Sequence, residues 1–144
     1  MNIGSWFIDE GKIILLEDSG DGDKQKTYRS HGPRLFTDKL SFVVLVDGGS
    51  ASASEILAGA LKEHGIAKLV GERTYGKGSV QELVKITDDT SLKVTVANWF
   101  TPNGTSISLK GIEPDYKVSL TQKDFDAKKD PQMDKAVEIL KGKK

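Results

Sequence analysis

Cysteine is absent, which excludes disulfides, a thiolate nucleophile and zinc–thiolate sites. It is neutral about redox compartment. Histidine is scarce: His31 and His64 are too few for a His-rich metal centre, and no metal or cofactor is expected. Neither sign of charge is in excess, with 21 Lys plus Arg against 21 Asp plus Glu. The basic surplus of a general nucleic-acid or anionic-membrane binder is therefore missing, and no nucleic-acid partner is expected. No apolar run approaches the ~20 residues that span a bilayer. The opening stretch MNIGSWFIDEGK lacks the basic start and apolar centre of a secretory signal peptide.

What is present suits one domain over residues 1–144. About a quarter of the chain is Leu, Ile, Val or Phe, enough to build a core. After the apolar Trp6-Phe7-Ile8, the run Lys12–Leu16 reads as a strand, and the Gly-rich stretch Asp18–Asp23 reads as a turn or mobile loop. Thr27–Lys39 is polar and reads as irregular. The continuous run Phe42–Val46 suits a strand covered on both faces, as in a parallel sheet. Ala53, Ile56, Leu57, Ala60 and Leu61 follow at helical spacing, with Gly65 as a stop and Ala67–Val70 as a second strand. Strand, helix and strand within about 30 residues predict a βαβ unit. Val80–Ile86 and Leu92–Ala97 predict two further strands around the turn Thr87–Thr90, and Pro102-Asn103-Gly104 another turn. Asp130-Pro131 predicts the N-cap and first position of a last helix. Met133, Ala136, Val137 and Leu140 form its apolar face, Gly142 its end and Lys143-Lys144 a solvated tail. Asp124–Asp130 reads as a short tether, and no internal repeat is visible.

Three features could carry chemistry. Gly48-Gly49-Ser50-Ala51-Ser52-Ala53-Ser54-Glu55 puts small residues between a strand and a helix. A serine there meets free N–H groups and the positive end of the helix dipole, which favour developing negative charge. The bland alternative is capping, because Ser52-x-x-Glu55 fits a capping box. Second, Gly71-Glu-Arg-Thr-Tyr-Gly-Lys-Gly78 nearly matches a phosphate-binding loop. Gly78 stands where the magnesium-holding hydroxyl belongs, however, and a strand rather than a helix follows. The flanking glycines make Lys77 more than an ordinary surface lysine: a tight backbone could hold its ammonium near another element. Third, a triad of Ser52 and His64 fails, because twelve helical residues separate them by about 18 Å. His64 reads better as a helix C-terminal residue, and His31 lies in a polar loop. The remaining base for a serine is then a lysine, a known variant of the triad.

The stretches Asp47–Glu55 and Gly71–Gln81 together resemble the catalytic core of the C-terminal processing peptidases, also called carboxyl-terminal or tail-specific proteases. Val94–Ala97, Thr101–Gly104 and Gly111-Ile-Glu-Pro-Asp115 follow in that family's order, so the resemblance covers most of residues 1–118. It implies an α/β fold, a Clp protease/crotonase-like core with βαβ units and an added β-hairpin region. It also implies a serine endopeptidase with Ser52 as nucleophile, Lys77 as general base and Gln81 orienting the lysine. By analogy with other serine hydrolases, the backbone N–H of Ala53 is an oxyanion donor. Polypeptides, bound through their C-terminal region, are the implied substrates. The cell envelope, periplasm or outside of the cell is the implied setting. The chain resembles the part of the family downstream of an Asn-Pro-Gly-Gly-type oxyanion segment, without the substrate-binding PDZ domain. The expectation is therefore a weak or inactive protease in isolation, with a sheet edge open to pairing between copies as a homo-oligomer. A non-catalytic relative and a phosphate-loop nucleotide binder are the alternatives.

Overall fold

The structure, a computed structural model, describes residues 2–20, 22, 25–36 and 40–142. Asp21, Asp23, the end of the Thr27–Lys39 stretch and the Lys143-Lys144 tail lie outside the described residues. A short helix α1 (Asn2–Ser5) precedes β1 (Ile13–Asp18) and β2 (Lys26–Arg29). Next come β3 (Phe42–Val46), helix α2 (Ala53–Glu63) and β4 (Ala67–Gly71). The strands β5 (Ser79–Lys85), β6 (Ser91–Phe100) and β7 (Tyr116–Lys117) follow, then α3 (Gln122–Asp126) and α4 (Pro131–Gly142). They form two sheets, an antiparallel one in the order β2-β1-β6-β5 and a parallel one in the order β3-β4-β7.

The predicted βαβ unit is β3-α2-β4, with β3 and β4 parallel from Phe42↔Ala67 to Val46↔Gly71. Its helix joins the two sheets. Ala60 and Leu61 of α2 pack with Ile14 and Leu15 of β1, with Ile8 and with Ala67 of β4. Ala58 packs with Val46, Leu69, Ile107 and Ile112. Gly65, at φ +68°, releases the chain from α2, as a left-handed residue does just past a helix end. His64 is the C-cap, and its Nε2–H donates to the Ile13 carbonyl at 2.7 Å.

Three sequence expectations are corrected. The strand covered on both faces is β4, not β3: Leu69 and Val70 are fully buried, whereas Leu45 of β3 is exposed. The reason is position, since β3 sits at the edge of its sheet and β4 at the centre. Thr27–Arg29, the start of the Thr27–Lys39 stretch read as irregular, lies in β2 and pairs with β1, because tertiary pairing overrides a polar composition. The helix α3 (Gln122–Asp126) runs into the expected tether Asp124–Asp130, with Thr121 and Asp124 forming a capping box. The last helix starts as expected, with the Asp130 carboxylate accepting from the Met133 N–H at 2.9 Å. Of its apolar face, Ala136 is buried while Met133, Val137 and Leu140 stay exposed.

Gly71 ends β4 at φ +130°, where a Cβ would stand 2.0 Å from the Val46 carbonyl oxygen. Gly71→Ala should therefore cost about 1–3 kcal/mol, read as a lowered midpoint of thermal unfolding by circular dichroism. At Asp124, the Thr121 hydroxyl and then its backbone N–H hold the carboxyl below its usual range. The unfolded chain thus has the higher pKa. The cap supports α3 at all pH values above it and is lost as pH falls through the lower, folded value. Protection factors for amides within α3, taken relative to the intrinsic exchange rate at each pH, should fall on acidification through the carboxylate range, and Thr121→Ala should flatten that dependence.

Candidate active site

Beyond β3 the chain folds back on itself. The Asp47 side chain accepts from the N–H groups of Gly49 and Ser50, both at 2.9 Å, and from the Ser50 hydroxyl at 3.0 Å. Such an Asx-type turn explains why small residues follow an aspartate here. Ser52 then stands immediately before α2 with φ 54° and ψ −113°. That is a rare backbone conformation for a residue bearing a Cβ, with a cost of about 1–3 kcal/mol. Ala53 opens the helix, so its N–H has no acceptor within the helix. Ser52 is half-buried at a sharp strand-to-helix turn, the setting in which serine nucleophiles are presented.

Glu55 lies one turn into α2 and is fully buried, at 0% exposure. Its Oε2 accepts from the Ser52 N–H and from the Lys77 N–H, both at 2.9 Å. Its Oε1 accepts from the Thr74 hydroxyl at 2.5 Å and the Gly76 N–H at 2.7 Å. One oxygen therefore holds the main chains of Ser52 and Lys77 side by side, with their nitrogens no more than twice 2.9 Å apart. A further strut runs from the Tyr75 N–H to the Ser50 carbonyl, at 2.9 Å.

The loop bearing Lys77 is clamped from the other side as well. The Thr74 hydroxyl, while donating to Glu55, accepts from the Ile112 N–H at 2.7 Å. The Gly76 and Gly78 carbonyls accept from the N–H groups of Leu109 and Trp99, at 2.9 and 2.7 Å. Gly76 takes φ +89°, a left-handed conformation that breaks a regular strand beside Lys77. A Cβ on Gly78 would meet the Ser108 nitrogen at 2.4 Å. Both glycines thus serve close backbone packing.

Of the sequence-predicted residues, Ser52 and Ala53 sit at the helix N-terminus and Lys77 sits on the loop beside them. Gln81 lies exposed on β5. The expectation that tight glycines would tuck the Lys77 side chain inward is corrected. That side chain is exposed, because the loop turns the lysine's main chain, not its ammonium, toward Glu55. His64 stands at the far end of α2 from Ser52, as the helical spacing requires. β5 begins directly after Gly78, where a phosphate-binding loop would need a helix. Sequence reasoning underrated two residues, Glu55 and Thr74. The capping-box spacing signalled that Glu55 reaches Ser52. Nothing local signals that it also reaches a loop about twenty residues away. Among the described residues, no group of three or more His, Asp or Glu could hold a metal ion.

Comparison with known proteins fits this geometry. The described architecture is the Clp protease-like α/β fold, shared with the tricorn protease (TM-score 0.64, 22% identity, 86% of this chain and 12% of that one). At closer range, a photosystem II D1 C-terminal processing protease superposes with a TM-score of 0.74. It shares 37% identity over 81% of this chain and 30% of that one. A carboxy-terminal-processing protease of Bartonella bacilliformis is 42% identical over 114 residues, 78% of this chain and 25% of that protein. The carboxy-terminal processing protease CtpB of Bacillus subtilis is 40% identical over 121 residues, 83% of this chain and 24% of that protein. Residues 1–118 match peptidase family S41, and the chain belongs to that family. It spans about a quarter of the length of these curated relatives.

Thr74→Val removes the hydroxyl of a buried residue and leaves Glu55 and the Ile112 N–H each short of a partner. A loss of about 1–3 kcal/mol is expected, measured by denaturant unfolding, with Thr74→Ser close to the parent.

Proposed function

We propose that this chain carries the nucleophile and base of a serine endopeptidase of the C-terminal processing type. The observation that carries the reading is the shared acceptor, Glu55 Oε2, which holds a strained serine and a glycine-bracketed lysine together. Ser52 Oγ attacks the scissile carbonyl of an extended polypeptide while its proton passes to the neutral Lys77 amine. The Ala53 N–H donates to the resulting oxyanion. The tetrahedral intermediate collapses as the C–N bond breaks, and Lys77 returns the proton to the leaving amine. Water, deprotonated by the same lysine, then releases the acyl group and regenerates Ser52. Gln81 orients the lysine from the start of β5.

Bound polypeptide covers the cleft and excludes water from the Lys77 amine as it acts as the base. The substrates are polypeptides recognised near their C-termini, in the cell envelope or an equivalent compartment, as the relatives' names and sources suggest.

The test compares this chain with a version extended upstream through the remaining core, using cleavage of an unstructured protein and labelling by a fluorophosphonate. Ser52→Ala should abolish both signals. Lys77→Ala should lower the labelling rate about 10²–10⁴-fold. Cleavage that survives Ser52→Ala would sink the assignment.

A further inference from the structure

Among the described residues, three that are not glycine take a positive φ: Ser52, Leu109 and Lys128. Lys128 follows the C-cap of α3, where a left-handed residue is at home. Ser52 is the strained residue of the site already described. Leu109 fits neither case. It lies in the turn over residues 108–110 at φ +63° and is 95% exposed. A left-handed backbone is unfavourable for a residue with a Cβ, and an apolar side chain in water gains nothing from burial. Both its backbone and its side chain therefore stand in costly states.

The turn is fixed from within. The Leu109 N–H donates to the Gly76 carbonyl at 2.9 Å, and the Gly111 N–H donates to the Ile107 carbonyl at 3.0 Å. A Cβ on Gly76 would stand 3.2 Å from the Leu109 Cα, so the two backbones touch. The Gly76 carbonyl and the Lys77 N–H belong to one trans peptide group and point opposite ways. That peptide is held by Glu55 Oε2 on one side and by the Leu109 N–H on the other. All these contacts lie within residues 55–111, so the left-handed turn does not depend on anything outside this chain. They also need only the backbone of residue 109, which glycine would supply without strain. The leucine side chain plays no part in holding Lys77. Tyr75, just before Gly76, is a second exposed apolar side chain here, at 68%, with its N–H on the Ser50 carbonyl.

Resting on the Ser52 and Lys77 assignment above, we propose that Leu109 is a specificity-determining residue. Its side chain takes an apolar side chain of the substrate on the leaving-group side of the scissile bond. The leaving amine receives its proton from Lys77, so the segment that amine begins lies against the elements that carry the lysine. Leu109 is bonded to the lysine's own peptide, and Tyr75 stands two residues before it. An apolar substrate residue there takes the exposed surface of Leu109 out of water, with Tyr75 beside it, and a polar residue gains much less. The left-handed backbone sets where the leucine emerges, and the bond to Gly76 keeps it there.

The experiment uses the version extended upstream through the remaining core. Its substrates are peptides that differ only in the residue after the cut, Leu in one and Ser in the other. Protection of Ser52 from fluorophosphonate by the same peptides reads the preference without turnover. The parent should prefer Leu. Leu109→Gly keeps the backbone conformation and should reduce that preference about ten-fold, through KM rather than kcat. Leu109→Met, apolar and of similar volume, should retain it. The thermal unfolding midpoint of Leu109→Gly should be equal to the parent's or higher, because strain is relieved and no packing is lost. An unchanged preference in Leu109→Gly would overturn the proposal, as would a parent that does not prefer Leu. A lowered unfolding midpoint would overturn it too, since the leucine would then be packing against the protein itself. Failure of the Ser52 assignment would look different: the parent would take no fluorophosphonate at Ser52, whatever residue stood at position 109.

Discussion

A carboxylate with no access to water holds the site together. Burying Glu55 costs several kcal/mol unless its oxygens are satisfied. Here three backbone N–H groups and one hydroxyl satisfy them, at the N-terminal end of a helix whose dipole favours negative charge. The donors come from two separate pieces of chain: Ser52 from the turn before α2, and Thr74, Gly76 and Lys77 from the loop after β4. Neither piece can move without leaving a buried oxygen short of a donor. The geometry linking serine to lysine is therefore fixed by main-chain bonds to a third residue, independent of where the lysine's own side chain points. Thr74 extends the constraint to Ile112, whose side chain packs in the second core cluster, so the loop is tied to the interior.

The same network explains how Ser52 keeps an unfavourable backbone conformation. A residue with a Cβ at φ 54° and ψ −113° relaxes unless its neighbours over-determine it. On one side, Asp47 folds residues 47–50 into a turn. On the other, Ser52's own N–H is held by Glu55, and the Tyr75 N–H holds the Ser50 carbonyl. The strain lifts the serine out of the strand-to-helix path while α2 remains anchored by Ala58, Ala60 and Leu61.

Much of this was legible in the sequence. The βαβ unit follows from an apolar run, a helical stripe and a second apolar run, and the hairpin from alternation around Thr87–Thr90. The turn-to-helix position of Ser52 follows from small residues between strand and helix, and the strand after Gly78 disposes of the phosphate-loop pattern. The assignment of Ser52, Lys77 and Gln81 to roles comes from family resemblance, because the local segment alone favours capping as the reading of Ser52. What stayed hidden has a common cause. Lys26–Arg29 has no apolar alternation and becomes a strand only because β1 offers it a ladder. The relative burial of β3 and β4 depends on sheet order, which short apolar runs do not encode. Glu55 looks like a local cap because one of its four donors is local, and the other three lie 19 to 22 residues away.

The lysine shows why burial was the wrong quantity to read from its glycines. Gly76 and Gly78 lack side chains because the backbone passes hard against residues 107–111. That contact, with the Lys77 N–H bound to Glu55, uses up the loop's main chain and leaves the ammonium facing solvent. A lysine placed this way is held beside Ser52 through its main chain while its side chain lies open to solvent. The buried Glu55 keeps the two backbones in register while the cleft stands open.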